Sequence, residues 1–366
     1  MNQIRPHRKP FIEKIEEVKK VNQSDSEIKI GVVGFPSNLG GADTELFHQI
    51  ICWRKMGVSV TLCHTGGFDN NCLKKKEEVE KMGCIVPSPK NWESLEGLHV
   101  ISFCNGEFLN NLEEIKKYAR TTTFVNCMTW NFEKEIDCQR RGLIDFNLYQ
   151  TEHQFNKVSQ KLKEFNKYTP ILFKPYFDTS FFKYKENREN DQFRFGRISR
   201  GDSDKYGKEQ FWIYETMTAP CIKQGLILGW DNRAIKKFNN FSPPDWIKCY
   251  PEGGITQQDF YNFCDVLIMQ TETFENLPRV GFEAMASGTV LVVDNRGGWK
   301  VLVEDGKTGW LCNNDREFVY KCSRIAHEVQ EKEDMRGKAK EKLEKEWGLE
   351  TSIKSWENVF KIWNKK

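Results

Sequence analysis

The sequence predicts an α/β architecture of two Rossmann-like doubly wound parallel-sheet domains facing across a cleft. Three observations carry that expectation. Short apolar runs rich in β-branched residues alternate with helical stretches; the alternation restarts after a polar segment at 186–191; and 366 residues exceed what one core comfortably organises.

The first half opens with IKIGVVGF (28–35), a near-continuous apolar run of the kind buried on both faces of a parallel sheet. A loop, PSNLGGADT (36–44), leads into ELFHQIICWRKMG (45–57), whose apolar positions recur at helical spacing and which stops at Gly57. Further strands are predicted at VSVTLCH (58–64), LHVISFC (98–104), TTFVNCM (122–128), FNLYQT (146–151) and PILFKPY (170–176), with helical stretches such as NLEEIKKYA between them. After the polar linker ENREND the rhythm resumes with FRFGRIS (193–199), LILGW (226–230), WIKCYP (246–251), DVLIMQ (265–270) and TVLVVD (289–294).

These elements divide the chain into a leader at 1–27, helical or disordered, an N-terminal Rossmann-like domain at 28–182, a C-terminal Rossmann-like domain at 183–345, and a terminal segment at 346–366. That last segment reads as an amphipathic helix with Trp356, Phe360 and Trp363 on one face, packing back toward the N-terminal domain. The leader places Phe11, Ile12, Ile15 and Val18 at helical spacing, which suits docking on the body or on a membrane surface.

Composition excludes several classes. No apolar run approaches the roughly 18–20 residues that span a bilayer. The N-terminus lacks the apolar stretch of a secretion signal. The twelve cysteines show no Cys-x-x-Cys pair, which argues for reduced thiols in the cytoplasm. Charge is even along the chain: 6 Lys and Arg against 5 Asp and Glu in 1–27, 19 against 18 in 28–178, and 30 against 29 in 179–366. No domain is basic in the manner of a nucleic-acid binder.

The chemistry concentrates in FENLPRVGFEAMASG (274–288). Pro278 suits the first turn of a helix that ends at Gly288, and the helix N-terminus at Leu277, Pro278, Arg279 and Val280 offers unpaired N–H groups to a phosphate or polar sugar. Glu275 lies in the loop before that seat. Glu283, about one and a half turns in, is placed to accept hydrogen bonds from a vicinal diol such as ribose.

This segment resembles the E-x7-E signature of retaining glycosyltransferases of GT-B fold, the family-4-like group 1 enzymes, where two acids precede an Ala-Met-Ala-x-Gly run and a later glycine pair. The trailing GG (297–298) and EDGKTGW (304–310) agree in order and spacing. PSNLGGADTE (36–45) is similar to the family's glycine loop, so Gly40 and Gly41 are implied to approach the donor, and Asp43 is an acceptor-side candidate. KPYFDTSFF (174–182) resembles the segment that closes the first domain, and FRFGRIS the strand that opens the second. The resemblance implies that Arg197 and a lysine of the following loop, Lys205 in preference to Lys208, neutralise a diphosphate, that Glu275 holds a sugar hydroxyl and Glu283 the ribose, and that Glu252 and Gly253 in the PEGG loop (251–254) hold the base.

On this resemblance the chain moves a hexose from a nucleoside-diphosphate donor, a UDP-sugar such as UDP-glucose, to a hydroxyl of a saccharide, lipid or small-molecule acceptor, with retention. No cofactor or metal is expected. A protein or a hydroxymethylated DNA base is the alternative acceptor, DNA being disfavoured by the even charge. A non-catalytic nucleotide-sugar-binding protein is the further alternative, disfavoured by the intact acid pair. The sequence departs from the family at FVNCMTWNFEKE (124–135), where a histidine is usual; Thr129 and Trp130 are the acceptor-side candidates there. The acid that usually follows the glycine pair is replaced by Trp299-Lys300, a change expected in local packing, with a difference in acceptor or donor as the alternative. The Asp-Ser-Asp at 202–204 and the isolated His64 and His153 read as solvated or packing groups.

Overall fold

The computed structural model describes residues 28–37, 41–186 and 191–366. The leader and Gly40 lie outside the described residues. The chain forms two compact units: one comprises the described residues up to Asp178 together with Trp347–Lys366, the other runs from Thr179 to Glu346.

In the first unit six parallel strands stand in the order β2-β1-β3-β4-β5-β6. They are β1 (Lys29–Val33), β2 (Ser59–Cys63), β3 (His99–Phe103), β4 (Thr121–Val125), β5 (Phe146–Tyr149) and β6 (Pro170–Leu172). β1, β3 and β4 are apolar or Thr-rich and almost wholly buried, as a sheet covered on both faces requires. The helix Gly41–Lys55 covers one face. The terminal helix Leu349–Trp363 packs against it: Trp356 meets Trp53 edge-on at 4.9 Å, and its indole N–H donates to Gln49 at 3.0 Å. Trp356, Phe360 and Trp363 are all buried.

The second unit has six parallel strands in the order β12-β11-β10-β7-β8-β9. These are β7 (Gln192–Ile198), β8 (Ile222–Leu228), β9 (Ile247–Tyr250), β10 (Val266–Met269), β11 (Val290–Asp294) and β12 (Gly309–Cys312). Strand order reverses between β7 and β10, the position where open α/β sheets part their loops and bind ligands. β12 is a strand the sequence analysis did not predict. It runs through the end of EDGKTGW and pairs in parallel with β11, from Leu291↔Gly309 to Asp294↔Cys312.

The helix after β10 runs Arg279–Ser287. Gly288 ends it at φ +72, a left-handed cap that glycine adopts without steric cost. Pro278 is the cap residue itself at φ −70 and ψ 112, one position before the first helical turn where it was expected. None of the twelve cysteines is paired. Among the described residues no helix is long and apolar enough to cross a membrane.

Candidate functional site

At the switch point of the second unit, β10 pairs with β7 only through Val266↔Phe195 and Leu267↔Gly196. Arg197 stands just past that register. It is fully buried, its guanidinium stacks 3.7 Å above the Tyr206 ring, and Nη1 donates to Ser199 Oγ at 2.7 Å. Its Nε and Nη2 have no hydrogen-bond partner among the described residues. Burial pulls this cation below its ordinary value, opposed by Tyr206, Tyr214, Glu275 and Asp294. A buried guanidinium with two idle donors is a costly arrangement unless an anion arrives.

The loop after β7 turns through Ser203–Lys205, and Lys205 Nζ lies 2.7 Å from Glu275 Oε1. Both side chains are about one-fifth exposed, at 19% and 18%, so the pair is reachable from solvent. Glu275 belongs to the loop after β10, so the two switch-point loops meet through opposite charges. Asp202, the first acid of the Asp-Ser-Asp run, pairs instead with Arg200 and Arg233.

The glycine pair supports Glu275 from behind. Gly298 N donates to Glu275 O at 2.8 Å, and a Cβ on Gly298 would stand 1.7 Å from the carbonyl oxygen of Asn276. Only a residue without a side chain lets the two backbones approach this closely. Trp299, which follows the pair, is fully buried against Gly281 of the 279–287 helix, while Lys300 is exposed.

Glu283 sits within the 279–287 helix with only 4% of its surface exposed. Tyr261 donates its hydroxyl proton to Glu283 Oε2 at 3.0 Å, and Gln257 Nε2 lies 3.4 Å from the same oxygen. Burial raises the Glu283 carboxyl above its usual range; Arg279 and the Tyr261 hydrogen bond oppose the shift. Gln257 and Tyr261 were not predicted. They lie four apart on the helix Gln257–Phe263, one face of it, but only the fold shows that this face meets Glu283. Asp294 at the end of β11 accepts from Thr271 N at 2.8 Å and Thr271 Oγ1 at 2.9 Å, bracing the start of the Glu275 loop. Leu277 and Arg279 are buried at the helix start. Glu252 and Gly253 lie exposed in the turn after β9, Gly253 at φ +75.

In the first unit, Asp43 lies in the first turn of the Gly41–Lys55 helix and accepts from Ser37 Oγ at 3.1 Å; burial raises its carboxyl. Thr129 is buried and Trp130 is half exposed in the loop after β4. His64 is a packing group, its Nδ1 accepting from Gly66 N at 2.6 Å and its ring 4.9 Å from Phe35.

The family described as Glycosyl transferases group 1 matches residues 256–342, which hold Glu275, the 279–287 helix and the glycine pair. Fold and matched segment point the same way: the two-sheet architecture is that of solved GT-B structures, and the segment after β10 resembles the group 1 glycosyl transferases. Spore coat protein SA of Bacillus subtilis is 25% identical over 108 residues, 29% of this chain and 28% of that relative's own length. The crystal structure of Anabaena HepE in complex with UDP and glucose superposes at a TM-score of 0.70, with 14% identity over 92% of this chain and 100% of HepE. The pneumococcal O-GlcNAc transferase GtfA, in complex with UDP and GlcNAc, gives a TM-score of 0.65 with 12% identity, covering 93% of this chain and 100% of GtfA.

Proposed function

We propose that the chain transfers a hexose from a UDP-sugar such as UDP-glucose to a hydroxyl acceptor with retention of configuration. The observation that carries this is the buried Arg197, whose Nε and Nη2 lack partners beside the Lys205–Glu275 pair. Breaking the glycosidic bond places negative charge on the leaving diphosphate, and preorganised cations in a dry site stabilise that charge more than water does. Arg197, Lys205 and the N–H groups at the start of the 279–287 helix fill this role, and no divalent metal is required. Glu275 takes a hydroxyl of the transferred sugar. Glu283, held by Tyr261, takes the ribose. The exposed turn with Glu252 and Gly253 takes the base, Gly40 and Gly41 are donor-binding residues, and Asp43 is an acceptor-side residue. HepE and GtfA, solved with UDP, support a uridine donor. Unpaired thiols support a cytoplasmic setting.

The test is release of UDP from UDP-glucose by the purified chain, followed with anomeric analysis of the product by NMR. An α-linked product from the α-linked donor is expected. Failure to bind or consume any nucleotide-sugar would overturn the proposal, and a β-linked product would overturn retention.

A further inference from the structure

The first unit buries an acid to which the donor chemistry gives no task. Glu135, in the first turn of the helix Glu133–Arg140, has no exposed surface. Its Oε2 accepts from Phe132 N at 3.1 Å and from Asn126 Nδ2 at 2.9 Å. Asn126, also buried, donates through the same nitrogen to Trp130 O at 2.9 Å, and its Oδ1 accepts from Met128 N at 2.7 Å. Gln154 reaches over from the next helix, donating to Met128 O at 3.0 Å and to Asn126 O. Cys104, at the end of β3, adopts a left-handed φ of +47 and accepts from Cys127 N at 2.7 Å through its sulfur. An irregular loop of seven residues, 126–132, is thus held from three neighbouring elements.

That restraint ends in one exposed aromatic side chain. Trp130 is 50% exposed while its carbonyl is pinned by Asn126, and the loop stands at the carboxyl edge of the sheet, where α/β folds hold ligands. An indole carried on a restrained backbone, with only two side-chain torsions, offers a broad apolar face at modest cost in conformational entropy. The axial C–H groups of a pyranose ring offer a matching apolar face, with hydroxyls projecting around it. A flexible alkyl chain gains less from a single flat ring.

Resting on the glycosyltransferase reading above, we propose that Trp130 is a stacking platform for a pyranose acceptor and that Glu135, acting through Asn126, is the positioning residue that aims it. Burial, opposed by the hydrogen bonds from Phe132, Asn131 and Asn126, raises the Glu135 carboxyl to about 7, so near neutrality the anchor is about half protonated. The ionisable groups that face it are Tyr149 of β5, Tyr168 just before β6, and Cys138 on its own helix, whose pKa values burial raises.

The test uses the full chain labelled with 5-fluorotryptophan, the Trp130 resonance being assigned by Trp130→Phe. Maltose, cellobiose and chitobiose are titrated separately, with 1-hexanol as the alkyl-chain arm. At least one disaccharide is expected to shift the Trp130 resonance, hexanol is not, and Trp130→Ala should weaken the apparent disaccharide affinity by about tenfold, read from protein-observed titration. Glu135→Ala should broaden or split the Trp130 line, and Glu135→Gln, which keeps an oxygen for the Phe132 N–H, should restore it; Asn126→Ala should behave as Glu135→Ala. A Trp130 line that ignores all three sugars, or that answers only to hexanol, overturns the platform. A line unchanged in Glu135→Ala and Asn126→Ala overturns the positioning role. UDP binding by calorimetry runs alongside: loss of UDP binding with the sugar shift intact counts against the donor chemistry alone, and intact UDP binding without a sugar shift counts against this inference alone.

Discussion

Lys205 and Glu275, seventy residues apart in sequence, meet at 2.7 Å where the loops after β7 and β10 flank the sheet's switch point. In this contact each neutralises the other. On the function proposed above, a donor diphosphate would compete with Glu275 for Lys205, and the two acidic groups would repel while sharing one cation. Glu275→Gln is therefore expected to bind UDP several-fold more tightly, roughly three- to tenfold given the partial exposure of the pair. The same variant should release UDP from UDP-glucose about 100- to 1,000-fold more slowly, because a charged contact to the sugar is lost. Calorimetry with UDP and initial-rate kinetics check the two halves; weaker UDP binding would show that Glu275 touches the nucleotide itself.

Arg197 makes the opposite kind of prediction. Its charge is buried, and two of its nitrogens lack partners among the described residues, so it is expected to weaken the protein without donor. Arg197→Met, similar in length and apolar, should leave the melting temperature unchanged or raise it. UDP should stabilise the native chain but hardly stabilise the variant, whose UDP affinity falls by about tenfold to a hundredfold with the loss of charged hydrogen bonds. Thermal melts with and without UDP measure both. A strongly destabilised variant that still responds to UDP would make Arg197 a structural group.

Much of this was legible in the sequence, for identifiable reasons. The helix after β10 was bounded by Pro278 and Gly288, whose backbone restrictions leave few alternatives, and the structure places its ends within a residue of both. Strands such as β1 and β11 announced themselves as β-branched runs because both sheet faces are covered. β12 did not: it is four residues long and begins at Gly309 with φ +155, among the turn-forming residues of EDGKTG. The Tyr261–Glu283 and Asn126–Glu135 hydrogen bonds were equally hidden. Each joins residues whose spacing in sequence carries no periodic signal, and an acid destined for complete burial looks the same in sequence as a solvated one.

The glycine pair should be sensitive to one carbon. A Cβ at position 298 would stand 1.7 Å from Asn276 O, so Gly298→Ala must push the 275–277 backbone outward. Glu275 then loses its alignment with Lys205. The expected outcome is a fall in turnover of about a hundredfold or more, since misplacements of about 1 Å cost that much. Residual UDP binding through Arg197 and Glu283 should persist. Kinetics together with UDP calorimetry check this; normal turnover would mean that the loop relaxes without moving the carboxylate.

Glu135 gives a pH prediction whose sign follows from its burial. Its carboxyl is raised from 4.5 to about 7 in the folded chain, so the folded state holds its proton more tightly than the unfolded state does. Below about pH 4.5 both states are protonated and this contribution to stability is complete. As pH rises, the unfolded chain ionises first, and the contribution is lost by about pH 7, amounting to something on the order of 3 kcal/mol. Asp43, Glu283 and Asp294 are also raised by burial and add slopes of the same sign, so the wild-type profile alone does not isolate Glu135. The difference between wild type and Glu135→Gln does, because glutamine keeps the acceptor for the Phe132 N–H and cannot ionise. Melting temperatures measured from pH 5 to pH 8 should show wild type losing ground to Glu135→Gln as pH rises; parallel curves would place the Glu135 carboxyl in the ordinary range and leave it no special burden at neutral pH.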